Sequence, residues 1–226
     1  MLLALGFTGC GNGDNGGGNG GGSGFIGATL HISGQPVWNG DVDQWGIVTV
    51  RDRFTGDATV TVTDAGSWID GVWTSTGGIG SITDGLLTFT VGIPAQTTTI
   101  QEVFYNESEL HNNFSISSPN ARASRITNIF FEDDDFWGRL VHASGPAGEA
   151  GNVFVHVDRD VRITGEGTTS QLFGFTIITS DLDLNLRAGW NAISGNENFD
   201  PQTMTFTFSS AVGESAAGRW TLLEQQ

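Results

Sequence analysis

The chain has 226 residues, enough for one large or two small folded domains with a real apolar core. It carries 25 acidic residues against nine basic ones, all Arg, for a formal charge of -16. That balance excludes a nucleic-acid surface and charge-driven docking on anionic lipid, and the single Cys excludes an intrachain disulfide and a Cys-based zinc cluster.

The first segment, Met1 to Cys10, is apolar, ends in small residues and places the only Cys at its border. It is too short to cross a bilayer, which takes about 20 apolar residues. Phe7-Thr8-Gly9-Cys10 resembles the lipobox of bacterial lipoproteins. The resemblance implies that residues 1–10 are the remnant of a signal peptide and that Cys10 becomes the diacylated first residue of an exported, membrane-anchored protein. Thr8 and Gly9 supply the small side chains needed before the cut. Phe7 stands where Leu is usual, and the basic n-region is one that a start codon upstream of Met1 would supply.

Residues 11–24 hold nine Gly in 14 positions and no apolar side chain, which predicts a disordered tether. As a random coil its ends would lie roughly 20 Å apart, enough to hold a folded body clear of lipid headgroups. A Gly-rich phosphate cradle would need a preceding strand, a following helix and a Lys, and the segment offers none.

From Phe25 onward the apolar period is two. Asp57–Asp64 alternates apolar residues with Thr, and Leu87/Phe89/Val91, Val153/Val155/Val157, Leu182/Leu184/Leu186 and Met204/Phe206/Phe208 repeat the pattern. Further strands are expected at 28–33, 46–51, 126–131, 139–142, 161–164, 173–179 and 219–223. Turn signals such as Thr83-Asp84-Gly85 separate them, and 98–110 is the best stretch for a short helix. The expectation is an all-β fold, an antiparallel β-sandwich built as two packed β modules. Module 1 would span 25–100, a connection 101–125, and module 2 would span 126–226.

The runs Val157-Asp158-Arg159-Asp160-Val161-Arg162-Ile163-Thr164-Gly165 and Leu184-Asn185-Leu186-Arg187-Ala188-Gly189-Trp190-Asn191 resemble a pattern in uncharacterised spirochaete-type surface lipoproteins. Thr83–Phe89 and Pro94 fit the same pattern. The resemblance implies a lipid-anchored β body at the cell surface or outer membrane, with structural motifs and no activity to transfer. Gly189 would allow a tight corner, and Trp190 would cap the core.

The residues argue against catalysis. His31, His111, His142 and His156 share no metal spacing, and there is no nucleophile elbow. His156 alternates out of phase with Val155 and Val157, which places it on a solvated strand face. Clustered oxygens at Asp41 and Asp43, and at Glu132, Asp133, Asp134 and Asp135, are of the type that Ca²⁺ takes, though they are equally what an acidic surface presents. The paired acids Asp158 and Asp160 read as sharing the solvent face of a strand.

Trp38, Trp45, Trp68 and Trp73 lie on segments rich in Gly and Asp. Exposed, they would form a sugar-stacking platform; buried, they would close the ends of the sandwich. Thr-rich strands without a single Lys leave sheet edges open to strand addition between chains, the route to a surface fibre. The function these residues support is a non-catalytic binding module, with a glycan, another surface protein or a further copy as partner.

Overall fold

The period-two pattern becomes strand along nearly the whole body, and the chain is all-β as expected. The computed structural model describes residues 25–42, 48–64, 68–69, 72–73, 78–95, 97–132, 137–143, 149–172, 174–213 and 219–224. The lipobox, Cys10 and the tether lie outside them.

In chain order the first strands are β1 (Phe25–Gly27), β2 (Leu30–Val42), β3 (Val48–Arg53), β4 (Ala58–Asp64), β5 (Trp68–Ile69), β6 (Val72–Trp73), β7 (Gly78–Thr83), β8 (Leu86–Val91) and β9 (Thr98–Thr99). Two short helices, α1 (Ile100–Val103) and α2 (Tyr105–Leu110), follow where a short helix is expected. Then come β10 (Asn112–Ile116), β11 (Arg122–Glu132), β12 (Trp137–Ala143), β13 (Glu149–Val157), β14 (Val161–Glu166), β15 (Thr169–Leu172), β16 (Phe175–Thr179), β17 (Leu182–Leu186), β18 (Gly189–Asp200), β19 (Thr205–Val212) and β20 (Arg219–Glu224).

Seven strands close on themselves. Ladders run β12-β20-β2-β8-β7-β4-β11, and β11 pairs again with β12, Phe130 opposite Arg139. Val60, Val62, Leu87, Phe89, Ile129 and Phe131 point into this ring and are at most 1% exposed. Thr59 and Thr61 take the outer positions between the valines of β4. At the β7–β8 hairpin, Asp84 and Gly85 both have positive φ, 50° and 72°, the pair of conformations a two-residue turn needs to match strand twist. The Asp57 carboxylate accepts the Asp84 N–H at 2.8 Å and fixes the turn.

A second core lies between two sheets, the sandwich arrangement. Val153, Val155, Val157 and Ile193 of β13 and β18 face Val161, Ile163, Leu182, Leu184 and Leu186 of the three-stranded sheet β10-β14-β17. β17 is buried at every second residue, the alternation its sequence carries. Helix α1 contributes Ile100 and Phe104 at its C-cap, both part of this core. Its start is a capping box: Thr99 Oγ1 accepts the Glu102 N–H, and the Glu102 carboxylate accepts the Thr99 N–H.

The strands β13 and β18 serve both cores. Phe154, Trp190 and Ala192 face the ring, while Val153, Val155 and Ile193 face the sandwich. His156 is therefore buried, 8% exposed, and not on a solvated face. The out-of-phase face of β13, polar by expectation, packs on a second apolar core. The sheet ladders are antiparallel except for β2–β20 and β16–β19, which are parallel. β2 and β20 come from opposite ends of the body, as parallel neighbours need distant connections.

The motif residues act as staples. Asp158 and Asp160 do not lie on a strand; they sit in the β13–β14 turn. Asp158 Oδ1 accepts the Arg122 N–H at 2.9 Å, and Asp160 Oδ1 accepts that of Ala188 at 2.9 Å. Short runs of alternation cannot separate a strand end from a turn whose carboxylates cap backbone N–H groups. Asn191 is fully buried and joins the β17–β18 corner to β18, accepting the Arg187 N–H and donating to the Arg187 and Gly189 carbonyls. Trp190 donates its indole N–H to Gly92 O at 2.9 Å, so the ring-facing Trp is both packed and hydrogen-bonded. Met204, expected in a strand, lies in the turn before β19 with φ of 51°.

Candidate functional site

Trp38 owes its place on the outer surface of the ring to a bulge. In β2, Leu30 and Ile32 point inward, which by strict alternation would send Trp38 inward too. Between Ile32↔Phe89 and Gln35↔Leu87, β2 carries one residue more than β8, and Gly34 there has φ of 64°. The extra residue switches the phase, so Val37 enters the core and Trp38 turns out, half-buried.

Beside it stand Arg219 of β20 and, directly across the β2–β3 ladder, the exposed Arg53. The Arg219 guanidinium lies 4.5 Å from the centre of the Trp38 ring, a cation–π distance. The parallel β2–β20 register pairs Trp38 with Thr221 and so brings Arg219, two residues earlier on the same face, beside it. Asn39, whose Nδ2 donates to Asp52 Oδ2 at 3.2 Å, and Asp41, bridged by Arg51 at 3.1 Å, alternate onto the opposite face of β2. The patch therefore has an aromatic centre with guanidinium donors beside it. Gly40 lets Thr221 and Leu223 close over the strand, where a Cβ would overlap the Thr221 methyl.

Of the other tryptophans expected to share a platform, Trp68 and Trp73 sit opposite one another in the β5–β6 ladder. Trp45 lies outside the described residues. Among the calcium candidates, Asp41 is ion-paired to Arg51 and Glu132 ends β11, exposed; Asp43 and Asp133 to Asp135 lie outside the described residues. No group of three or more His, Cys, Asp or Glu that could hold a metal occurs among the described residues.

Two polar residues gain interest only from the fold. His142 and His156 are buried, and each packs edge-on to a tryptophan, Trp220 at 5.6 Å and Trp190 at 5.4 Å. Burial holds the His156 imidazole below its ordinary range, with Asp158 pulling weakly the other way. Sequence alternation misplaces His156, because it reads that face of β13 as solvent, whereas His142 shares the side of Leu140.

A cavity of about 20 Å³ lies in the second core, lined by Val103, Phe104, Arg125, Val153, Leu184 and Ile193 among others. It has room for about one water, far short of the several hundred Å³ that small-molecule sites offer. No protein-family model, curated protein or solved structure matches the chain.

Proposed function

We propose that this chain is an exported, lipid-anchored and non-catalytic surface protein whose β body binds a neutral glycan on the outer face of β2, β3 and β20. The observation that carries the reading is the half-buried Trp38 with Arg219 at 4.5 Å and Arg53 across the ladder from it. An indole offers a face to sugar C–H groups, and guanidinium groups beside it donate to hydroxyls. The glycan is taken as neutral because a charge of -16 repels polyanions. Export and anchoring rest on the lipobox-like Phe7–Cys10 and the Gly-rich residues 11–24.

The test is a glycan array and tryptophan fluorescence titration with the full chain, beside Trp38→Ala and Arg219→Ala. Binding to a neutral oligosaccharide that falls at least tenfold in Trp38→Ala supports the reading. An array without hits, or binding untouched by both substitutions, removes it. Palmitate labelling lost in Cys10→Ser tests the anchor separately.

A further inference from the structure

We propose that β15 is a self-association edge, and that its occupant is β15 of a second copy of this chain, paired antiparallel about a two-fold axis perpendicular to the sheet. The inference does not depend on the glycan reading.

The edges of the sheets are guarded unequally. β3 carries Arg51, Asp52 and Arg53, with Arg51 bridged to Asp41. β17 carries Asp183, which accepts from Nε and Nη2 of Arg162 at 2.9 and 2.8 Å. β10 has a register irregularity and a positive-φ residue, Asn113. β1 spans three residues with a shifted register, and β9 only two. Charge, bulges and shortness are how natural edges resist pairing. β15, Thr-Ser-Gln-Leu, pairs only with β16 among the described strands, in unbroken register. It has no charge and no proline, and all four residues are exposed.

The surface behind that edge favours another copy over other partners. Residues 167–180 and 201–213, which include β15, β16 and β19, hold no charged side chain although the protein carries -16. Two equally acidic copies repel, and here they can meet without opposing carboxylates. Such an edge offers a basic or acidic partner nothing to select, whereas an antiparallel strand pair about a two-fold is complementary to itself.

An apolar strip also runs to this edge. Phe199 stacks on Phe206 at 4.4 Å, and Phe175 lies 5.4 Å from Phe206. Leu172 stands opposite Phe175 and is 50% exposed, so the strip ends in solvent at the edge strand. A perpendicular two-fold keeps the strips of both copies on one face and joins them through Leu172. It also sets one residue of β15, Ser170 or Gln171, opposite its own copy. A four-residue strand gives weak pairing, read at high protein concentration or on a crowded surface.

The experiment is sedimentation equilibrium of the full chain carrying Cys10→Ser, from about 5 µM to about 1 mM. The mass should rise from 23.9 kDa toward twice that value and stop there. Leu172→Lys, and separately Gln171→Lys, should weaken association at least tenfold with an unchanged circular dichroism spectrum, while Thr83→Lys on the ring should not. Of Ser170→Cys and Gln171→Cys in the same background, one should cross-link under mild oxidation. Monomer at every concentration, open-ended oligomers, a dimer indifferent to both lysines, or no cross-link from either cysteine overturns the proposal. Gln171→Lys keeps the test intact should Leu172→Lys fail to fold, and a dimer that survives Trp38→Ala separates this result from the glycan test.

Discussion

His156 stands directly across the β13–β18 ladder from Trp190, their ring centroids 5.4 Å apart and their planes inclined by 74°. His142 and Trp220 repeat the relation across β12–β20, at 5.6 Å and 76°. Both pairs line the ring core, so the two cross-strand contacts tie its wall and the β13–β18 continuation of the same sheet to one apolar interior. A neutral imidazole suits an edge-to-face contact with indole. A protonated one would carry charge into that interior.

The pH consequence follows in sign. Burial lowers the folded-state pKa of His156, and Asp158 offsets this only in part. The unfolded chain therefore binds the proton more readily. Stability from the neutral ring is fully present above the unfolded value of about 6.5 and is lost as pH falls toward and through the folded value. Denaturant unfolding of the full chain at pH 8, 6.5 and 5 should show stability dropping over that range. His156→Phe should flatten the drop; an equally steep decline in the variant would place its origin elsewhere.

Below about pH 4 a second loss is expected. Asp158 is held low by Arg159 first and by the Arg122 N–H, Asp183 by Arg162, Asp200 by Thr203 and the Gln202 N–H, and Glu102 by Thr99. Each carboxylate contributes stability above its unfolded pKa, lost as pH falls through the folded one. Asp158→Asn should shrink this acid limb, since it removes a titrating group that clamps β11 to the β13–β14 turn. An acid limb of undiminished size would show that Asp158 is not one of its sources.

Gly34 gives the cleanest backbone test. Its φ is 64°, and a Cβ there would meet nothing within 4 Å, so any cost is conformational and not steric. Gly34→Ala should lose about 1–2 kcal/mol, and Gly34→Asn less, because Asn enters this region more easily. Gly80 is the contrast. It faces Phe89 across the β7–β8 ladder, and a Cβ would overlap the Phe89 Cβ and the Thr88 carbonyl. Gly80→Ala should cost about 1–3 kcal/mol through displacement of the core. In urea titrations Asn should recover part of the alanine loss at Gly34 and none at Gly80; the same response at both positions would contradict the distinction.

The limits of sequence legibility lie along these same residues. Strands with one wet face, such as β17 and the inner half of β4, read directly from alternation, and Asp84-Gly85 reads as a hairpin turn. His156 misleads because β13 has no wet face along its described side chains, Asn152 to Val157. Trp38 among the candidate site residues could be named but not oriented, since Gly34 reverses the phase within one strand. Arg219 joins it through a parallel ladder between the two ends of the body, a pairing that no local pattern encodes. The sequence motif 157–191 was legible as structural, yet its capping of backbone N–H groups by Asp158 and Asp160 needs the turn itself.

The charge of -16 leads to the last expectation. With 25 acids and nine Arg, most carboxylates in the sequence have no basic partner, and compaction brings them together. Three exposed pairs, Arg51–Asp41, Arg159–Asp158 and Arg162–Asp183, work in the opposite sense, since salt weakens them. Exposed pairs contribute little, so relieved repulsion should win. Adding NaCl to a low-salt buffer should then raise the melting temperature. Relief of about 1 kcal/mol corresponds to ~2–4 °C for a chain of this size. Most of the rise should come below about 0.15 M, where the Debye length has already fallen to about 8 Å. A rise that begins only near molar salt would point to solvent exclusion instead of screening, and a fall would give the ion pairs the larger share.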